Sequence, residues 1–271
     1  MLTLVIGVLI GLVLGLTGAG GSILAVPLLM ALLGVSLPMA SGLSLGAVGL
    51  AAWLGVLLRW RSGQIQWFLV GVMAGAGALL APLGQALGHL LPERALLLAF
   101  SLLALAIAVR MWTQARQRPE ETRLLRASTE LDRPEPGPVC VMTGKPLYLQ
   151  SPCVARLTLA GALAGLLSGL FGVGGGFVIV PMLVLLTNLP MRTAVATSLG
   201  VIGIVSLAGF GSFLLRHPLP WVILTPLAVG AVLGMAGGSR IARRIAGPRL
   251  QEGFALMVVL LSCYTFWRVW S

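Results

Sequence analysis

Two clusters of glycine break long apolar stretches of this 271-residue chain: Gly18-Ala19-Gly20-Gly21, followed by Ser22, and Gly172-Val173-Gly174-Gly175-Gly176. Glycine has no functional group, so any chemistry at such a break belongs to the backbone. A helix that begins inside a membrane points unpaired N–H groups and a positive dipole end into the gap. That end receives an anion without a charged side chain, and glycine lets an oxyanion come close to the backbone. Ser44 and Ser198 sit in matching Ser-Leu-Gly contexts, with Ser41 and Thr197 nearby, and their hydroxyls are further donors. The competing reading of these serines is a bond to a carbonyl of their own helix. Thr17 and Asn188 are minor candidates.

Other chemistries find little support. All seven acidic residues, Glu93 and Glu252 included, fall in loops or at span ends, so no mid-span carboxylate offers a proton relay or a cation site. No histidine or acid accompanies Ser44 or Ser198 inside a span, so the sequence points away from an enzyme. Cys140, Cys153 and Cys263 match no metal spacing, and the first two read as reduced cytoplasmic thiols. The GVGGG run lacks the strand and distal acid of a dinucleotide fingerprint. No cofactor and no metal are expected.

The two clusters belong to a repeat. The 39 residues from Gly11 align without a gap on those from Gly165, a shift of 154, with 16 identities, and the register continues through Trp67/Trp221. Shared positions include Gly18/Gly172, Gly20/Gly174, Gly21/Gly175, Pro27/Pro181 and Ser44/Ser198; Ser22 faces Gly176. The prolines, six residues beyond the last shared glycine, are expected to kink the helix that follows. Gly42, Gly46, Gly49, Gly71, Gly75, Gly77 and Gly230 read instead as close-packing positions.

Hydrophobic residues make up 58% of the chain, charged residues 9%, and mean hydropathy is +1.02, which places it in a lipid bilayer. The formal charge of +11 sits on residues flanking apolar spans, as membrane anchors do; nucleic acid is not an expected partner. Five apolar segments are predicted per half: 2–17, 22–35, 38–58, 67–90 and 94–112, then 156–171, 176–188, 191–215, 220–242 and 249–270. The first pair in each half is too short to cross the roughly 30 Å hydrocarbon core twice, so it forms a re-entrant hairpin or two short, deep helices. Either way each half crosses an odd number of times and the halves are inverted. If each pair were one broken span, the halves would be parallel.

The arginines choose between these. With a cytoplasmic central loop and inverted halves, Arg59, Arg61, Arg192, Arg240, Arg243, Arg244 and Arg249 fall inside, and Arg94, Arg216 and Arg268 outside. The parallel arrangement puts the Arg240–Arg249 cluster opposite the Arg-rich central loop, against the positive-inside rule. The expected organisation is a first membrane repeat over 1–112, a cytoplasmic linker over 113–155 and a second repeat over 156–271, with both termini periplasmic. The fold class is an all-α integral membrane protein of two inverted-topology repeats, each a short broken or re-entrant helix pair plus three transmembrane helices.

GLTGAGGSILAVPLL followed by a Ser-Leu-Gly helix, and again GLFGVGGGFVIVPMLVLL followed by AVATSLGV, are similar to the sulfite exporter TauE/SafE family, also called the DUF81 or TSUP permeases. The resemblance covers both halves and leaves out the linker. It implies an inner-membrane permease for small anions such as sulfite, sulfonates or sulfoacetate, often an exporter. Carried over by motif, its binding region is Gly18, Gly20, Gly21 and Ser44 in one half, and Gly172, Gly174, Gly175 and Ser198 in the other. Ser22, Gly176 and Thr197 complete the candidate set. The expected partner is a small anionic substrate moved by alternating access at the repeat interface; a passive anion channel is the alternative. The sequence leaves a homodimer open.

Overall fold

The computed structural model describes residues 1–18, 21–117, 151–187, 189, 191–216, 220–245 and 259. Among them are nine α-helices and no strand: α1 (Leu2–Thr17), α2 (Gly21–Leu33), α3 (Leu37–Trp60), α4 (Trp67–Leu90), α5 (Glu93–Gln117), α6 (Ser151–Phe171), α7 (Gly176–Thr187), α8 (Met191–Leu214) and α9 (Trp221–Ile245). The chain is an all-α protein with five helices long and apolar enough to cross a membrane. The segment 249–270 lies outside the described residues, apart from Val259, as does most of the linker. Two boundaries differ from expectation. Helix α5 continues to Gln117 and α6 starts at Ser151, so the polar connection is shorter than 113–155. Ala, Arg and Gln are strong helix formers that extend α5 past its apolar part, and Pro152 suits a first helical turn.

Helices α1 and α6 end alike. Gly18 (φ 74) and Gly172 (φ 69) adopt the left-handed conformation that stops a helix. The Gly18 N–H donates to the Leu14 carbonyl at 2.7 Å and the Gly172 N–H to the Ser168 carbonyl at 2.8 Å. The chain then turns back on itself. Gly21 lies against the backbone of Ile10 and Leu14, and Gly175 against Ala164 and Ser168, at equivalent positions in the two halves. Each short pair therefore reverses direction at a glycine elbow. At 13 and 12 residues, α2 and α7 reach only about 20 Å.

At the centre α3 crosses α8. These two are the most buried spans, 72% of each against 39–44% for α4, α6 and α9. Phe213 fits the notch at Gly42, Phe210 that at Gly46 and Leu207 that at Gly49, while Leu199 reaches Gly55 and Trp53 fits Gly203. Rising numbers on α3 meet falling numbers on α8, so these sequence-equivalent helices run antiparallel. Outside them α1 lies along α9, with Gly7, Gly11 and Gly15 against Leu227, Ala231 and Met235. In the same manner α4 lies along α6, with Gly77 against Gly161 and Gly84 against Leu166. Both outer pairs run parallel.

Close packing explains Gly42, Gly46, Gly49, Gly77 and Gly230 as expected, but Gly71 and Gly75 have nothing within 4 Å of a modest side chain's first carbon. Cys153, expected in the linker as a free thiol, is instead buried in α6 and disulfide-bonded, its partner lying outside the described residues. Thr17 donates to the Val13 carbonyl at 2.8 Å within its own helix.

A methyl group on Gly11 would sit 1.9 Å from the Ala231 carbonyl oxygen, and one on Gly169 1.9 Å from that of Ala81. Gly11→Ala and Gly169→Ala are each expected to lower stability by about 1–3 kcal/mol. Gly71→Ala is expected to leave it unchanged. Thermal unfolding in detergent checks the contrast, and equal midpoints for all three variants would refute it.

Candidate functional site

The elbow at Gly172–Gly176 is built from four helices of both halves. A Cβ on Gly172 would meet Ser41 of α3 at 2.1 Å, so this elbow docks on the opposite half's central helix. Gly174 (φ 71) lies against the Ser206 hydroxyl of α8, at 2.8 Å from such a Cβ, and against Val48 of α3. Gly175 (φ 65) faces Ser168 of α6. On α3, Ser41 and Val48 are seven residues apart and Ser44 lies between them, so all three share one helical face. Ser44, Ser168 and Ser206 are completely buried, and their hydroxyls have no hydrogen-bond partner among the described residues. Gly176 then begins α7; the Val178 and Ile179 N–H groups donate to the Gly175 carbonyl at 3.0 and 3.2 Å, which leaves those of Gly176 and Phe177 as the helix-start donors.

Beside this elbow, toward the C-terminal end of α4, lies a cavity of about 20 Å³ lined by Leu37, Pro38, Ser41, Gln85, Gly169 and Leu170 among others. Gln85 is 4% exposed, and both its amide nitrogen and its oxygen lack a partner among the described residues. Ser41 donates to the Pro38 carbonyl at 2.7 Å. It touches the elbow and lines the cavity, which makes the two places continuous.

The first elbow shares the left-handed glycine that ends its helix, Gly18 matching Gly172, and has different walls. At the shift of 154, Ser168 becomes Leu14, Ser206 becomes Ala52, Ser41 becomes Val195 and Gln85 becomes Ser239. Gly18 packs on Val195, as Gly172 does on Ser41. Ser239 donates to the Ala236 carbonyl at 3.0 Å and Ser198 to that of Val195 at 2.9 Å, so both hydroxyls are used within their own helices. Gly21 and Ser22 are buried at the start of α2; Gly20 lies outside the described residues, as does Asn188.

Several sequence-based expectations change accordingly. Ser44 does not group with Gly18 and Gly21; its helical face meets the elbow of the other half, because the central helices are exchanged between halves. Ser44 and Ser198 lie on opposite sides of the α3–α8 crossing. That crossing falls near Leu50 and Ile204, so each serine is six residues from it and they stand about 18 Å apart along the helices. Thr197 has a fold role beside its candidate one: its Oγ1 accepts the backbone N–H of Gln66, just before α4, at 3.2 Å. Gln85, Ser168 and Ser206 were absent from the expected set. A lone amide in the span 67–90, where every other polar side chain is terminal, is the signal that marks Gln85.

Residues 3–265 match the family model for the sulfite exporter TauE/SafE. The chain belongs to this family. It is 33% identical over 268 residues to a probable membrane transporter protein of Xylella fastidiosa strain Temecula1, covering 98% of this chain and 94% of that one. It is 26% identical over 280 residues to the probable membrane transporter protein YunE of Bacillus subtilis, covering 97% and 96%. No solved structure matches the chain. Family and apolar helices together make this TauE/SafE chain a multi-pass membrane protein of a transporter family.

An orphaned buried amide costs about 1–3 kcal/mol. Gln85→Met, which fills similar space without polar atoms, is therefore expected to raise stability by about 1 kcal/mol or more. A lowered midpoint in detergent unfolding would instead mean that Gln85 supports the fold.

Proposed function

We propose that this chain is a secondary transporter that exports small sulfur-containing oxyanions, of the sulfite or organosulfonate class, across the inner membrane. The reading rests above all on one observation: the Gly172–Gly176 elbow, where α7 starts, lies against Ser168 and Ser206, whose buried hydroxyls have no partner among the described residues, and Ser44, buried likewise, is on the α3 face that meets it. Such groups donate to an oxyanion and bring no opposing charge. The family description supports the sulfur class.

In this reading the halves are inverted repeats. Antiparallel equivalents at the centre and parallel outer pairs support inversion, because a repeat axis along the membrane normal would make α3 and α8 parallel. Arg59 and Arg61 at the end of α3 share a face with Arg240 near the end of α9, since Gly55 of α3 meets Met235 of α9. That face is cytoplasmic by the positive-inside rule, which makes the central connection cytoplasmic and both termini periplasmic. The substrate moves by alternating access about the α3–α8 crossing, whose side chains fill its glycine notches. The two faces are closed differently. At the cytoplasmic face Gln66 N–H bonds Thr197; the equivalent pair at the other face, Pro220 and Leu43, can neither donate nor accept. The chain thus holds its inner side shut while the Gln85 cavity lies toward the outer side, the geometry of a release state.

Uptake of labelled sulfite into proteoliposomes, with sulfate, sulfoacetate and thiosulfate as competitors, tests this. Flux is expected to saturate, and Ser44→Ala/Ser168→Ala/Ser206→Ala to lower it by roughly tenfold or more, with the unfolding midpoint held. Full flux in the triple variant would remove the anion from this elbow, and flux that never saturates would favour a channel.

The inner latch gives a second expectation. Thr197→Val removes the acceptor for Gln66 and should shift the population toward inward opening. Accessibility of a cysteine placed at Gln66 to a membrane-impermeant thiol reagent from the cytoplasmic side should rise; unchanged labelling would exclude a latch.

A further inference from the structure

We infer that the ligand of the Gln85 cavity is an oxyanion that also carries a hydrogen-bond donor, an O–H or N–H, rather than a bare oxyanion. This inference rests on the anion-transport reading above and narrows the substrate class. An anion needs only donors from its site. The Gly172–Gly176 elbow offers backbone N–H groups and serine hydroxyls that can turn to donate, but the cavity beside it also holds fixed acceptors. Gln85 presents a donor and an acceptor, each buried and each without a partner among the described residues. Exchanging the two ends of the amide changes nothing, because both are unpartnered. Ser41 has committed its proton to the Pro38 carbonyl, so toward the cavity it offers lone pairs. The cavity therefore holds two acceptor atoms, the Gln85 oxygen and Ser41 Oγ, beside one donor atom, the Gln85 nitrogen with its two N–H groups.

A fully deprotonated oxyanion would set its negative oxygens against these acceptors, leaving them unsatisfied at a cost that membrane depth increases. An oxyanion bearing one donor satisfies the set: its anionic oxygens accept from the Gln85 nitrogen and the elbow N–H groups, and its own O–H or N–H donates to the Gln85 oxygen or Ser41. Two sources share this chemistry, the acid monoanion of an inorganic oxyacid and a hydroxyl- or amino-bearing sulfonate. The remaining lining residues, Leu37, Pro38, Gly88, Leu96, Gly169 and Leu170, bring no charge and no titratable group. Arg94 stands nearby but exposed. A dependence of binding on pH would thus follow the ligand's proton. At about 20 Å³ the cavity has room for one water, so an oxyanion requires it to widen.

The test is competition against labelled sulfite uptake in proteoliposomes, at fixed total sulfite. Competitors are isethionate, which has a hydroxyl, taurine, which has an ammonium, and methanesulfonate and sulfate, which have no donor. In the wild-type protein, donor-bearing competitors are expected to inhibit roughly tenfold better than methanesulfonate, and Gln85→Met to erase that ratio. Uptake that falls as pH rises through the second ionisation of sulfurous acid, with acidification of the lumen reported by a trapped dye, identifies the acid monoanion as the source. Strong inhibition by isethionate or taurine, with uptake indifferent to pH, identifies the substituted sulfonate. Equal inhibition by methanesulfonate, sulfate and the donor-bearing anions, with flux intact and no pH trend, overturns the inference and leaves the transporter reading standing. If none of these anions is carried or competes in folded protein, the anion reading itself falls, and this inference with it. The wild-type ratios decide the matter even if Gln85→Met fails to fold.

Discussion

Backbones in this protein approach more closely than any side chain larger than hydrogen permits. Gly7 and Gly11 bring α1 onto the carbonyls of Leu227 and Ala231, and Gly161, Gly165 and Gly169 bring α6 onto those of Met73, Gly77 and Ala81. In lipid no hydrophobic force drives helices together, and small residues supply the van der Waals contact that does. The two outer pairs lock each half to the other. Neither half has a closed interior of its own: the first helix of each is seated on the fourth of the other, and the central helices cross between them. The elbows follow from that exchange. Gly18 rests on Val195 and Gly172 on Ser41, so each reversal of the chain is completed by the opposite half.

Symmetric scaffolding carries an asymmetric lining. Both elbows have left-handed glycines and the same return of the chain, yet only one collects unpartnered polar groups. Evolutionary drift toward polarity is an unattractive account, since each orphaned buried group costs free energy that Leu14 and Ala52 avoid in the other half. Ser198 and Ser239 show how the same scaffold quiets a hydroxyl by bonding it to its own helix. Ser44, Ser168, Ser206 and Gln85 are not quieted in this way. Groups kept at that cost in a membrane interior mark a place where a polar ligand spends part of its time.

Much of the fold could be read from the residues. Glycine breaks, a shift of 154 and the length of apolar runs predict seven of the nine described helices to within a few residues, while α5 ends five residues later and α6 begins five residues earlier than expected. Polar residues with strong helix propensity hid the end of α5, and Ser151-Pro152 reads as a loop until it is seen as a first helical turn. The two elbows were legible because glycine is the residue that stops a helix in the left-handed conformation. Partner choice was not. Grouping Gly18 with Ser44 follows chain order, whereas the contact follows the antiparallel crossing of α3 and α8, which no local pattern encodes. Thr197 shows the same limit: next to Ser198 it reads as a ligand donor, and only the fold brings the Gln66 N–H to it. Gln85 had a signal, an amide alone in an apolar span, but nothing in its neighbours says that both ends lack partners.

The unequal ends of the molecule bear on direction. A carrier built from two equivalent halves has no preferred resting state unless something breaks the equivalence. Here the hydrogen bond from Gln66 to Thr197 has no counterpart at Pro220 and Leu43, and the unpartnered amide of Gln85 has none at Ser239, whose hydroxyl is bonded within its own helix. The first stabilises closure at the basic face by about 0.5–1.5 kcal/mol; the second destabilises the empty, closed form at the opposite face until a ligand satisfies the amide. Both terms bias the unloaded protein the same way, toward a molecule shut at the arginine-rich side. A ligand arriving from that side must break the latch to enter, so occupancy from within opposes the resting bias and release at the far side restores it. In the proposed carrier such a bias returns the unloaded protein to rest after each passage, and the gradient of the anion sets the direction.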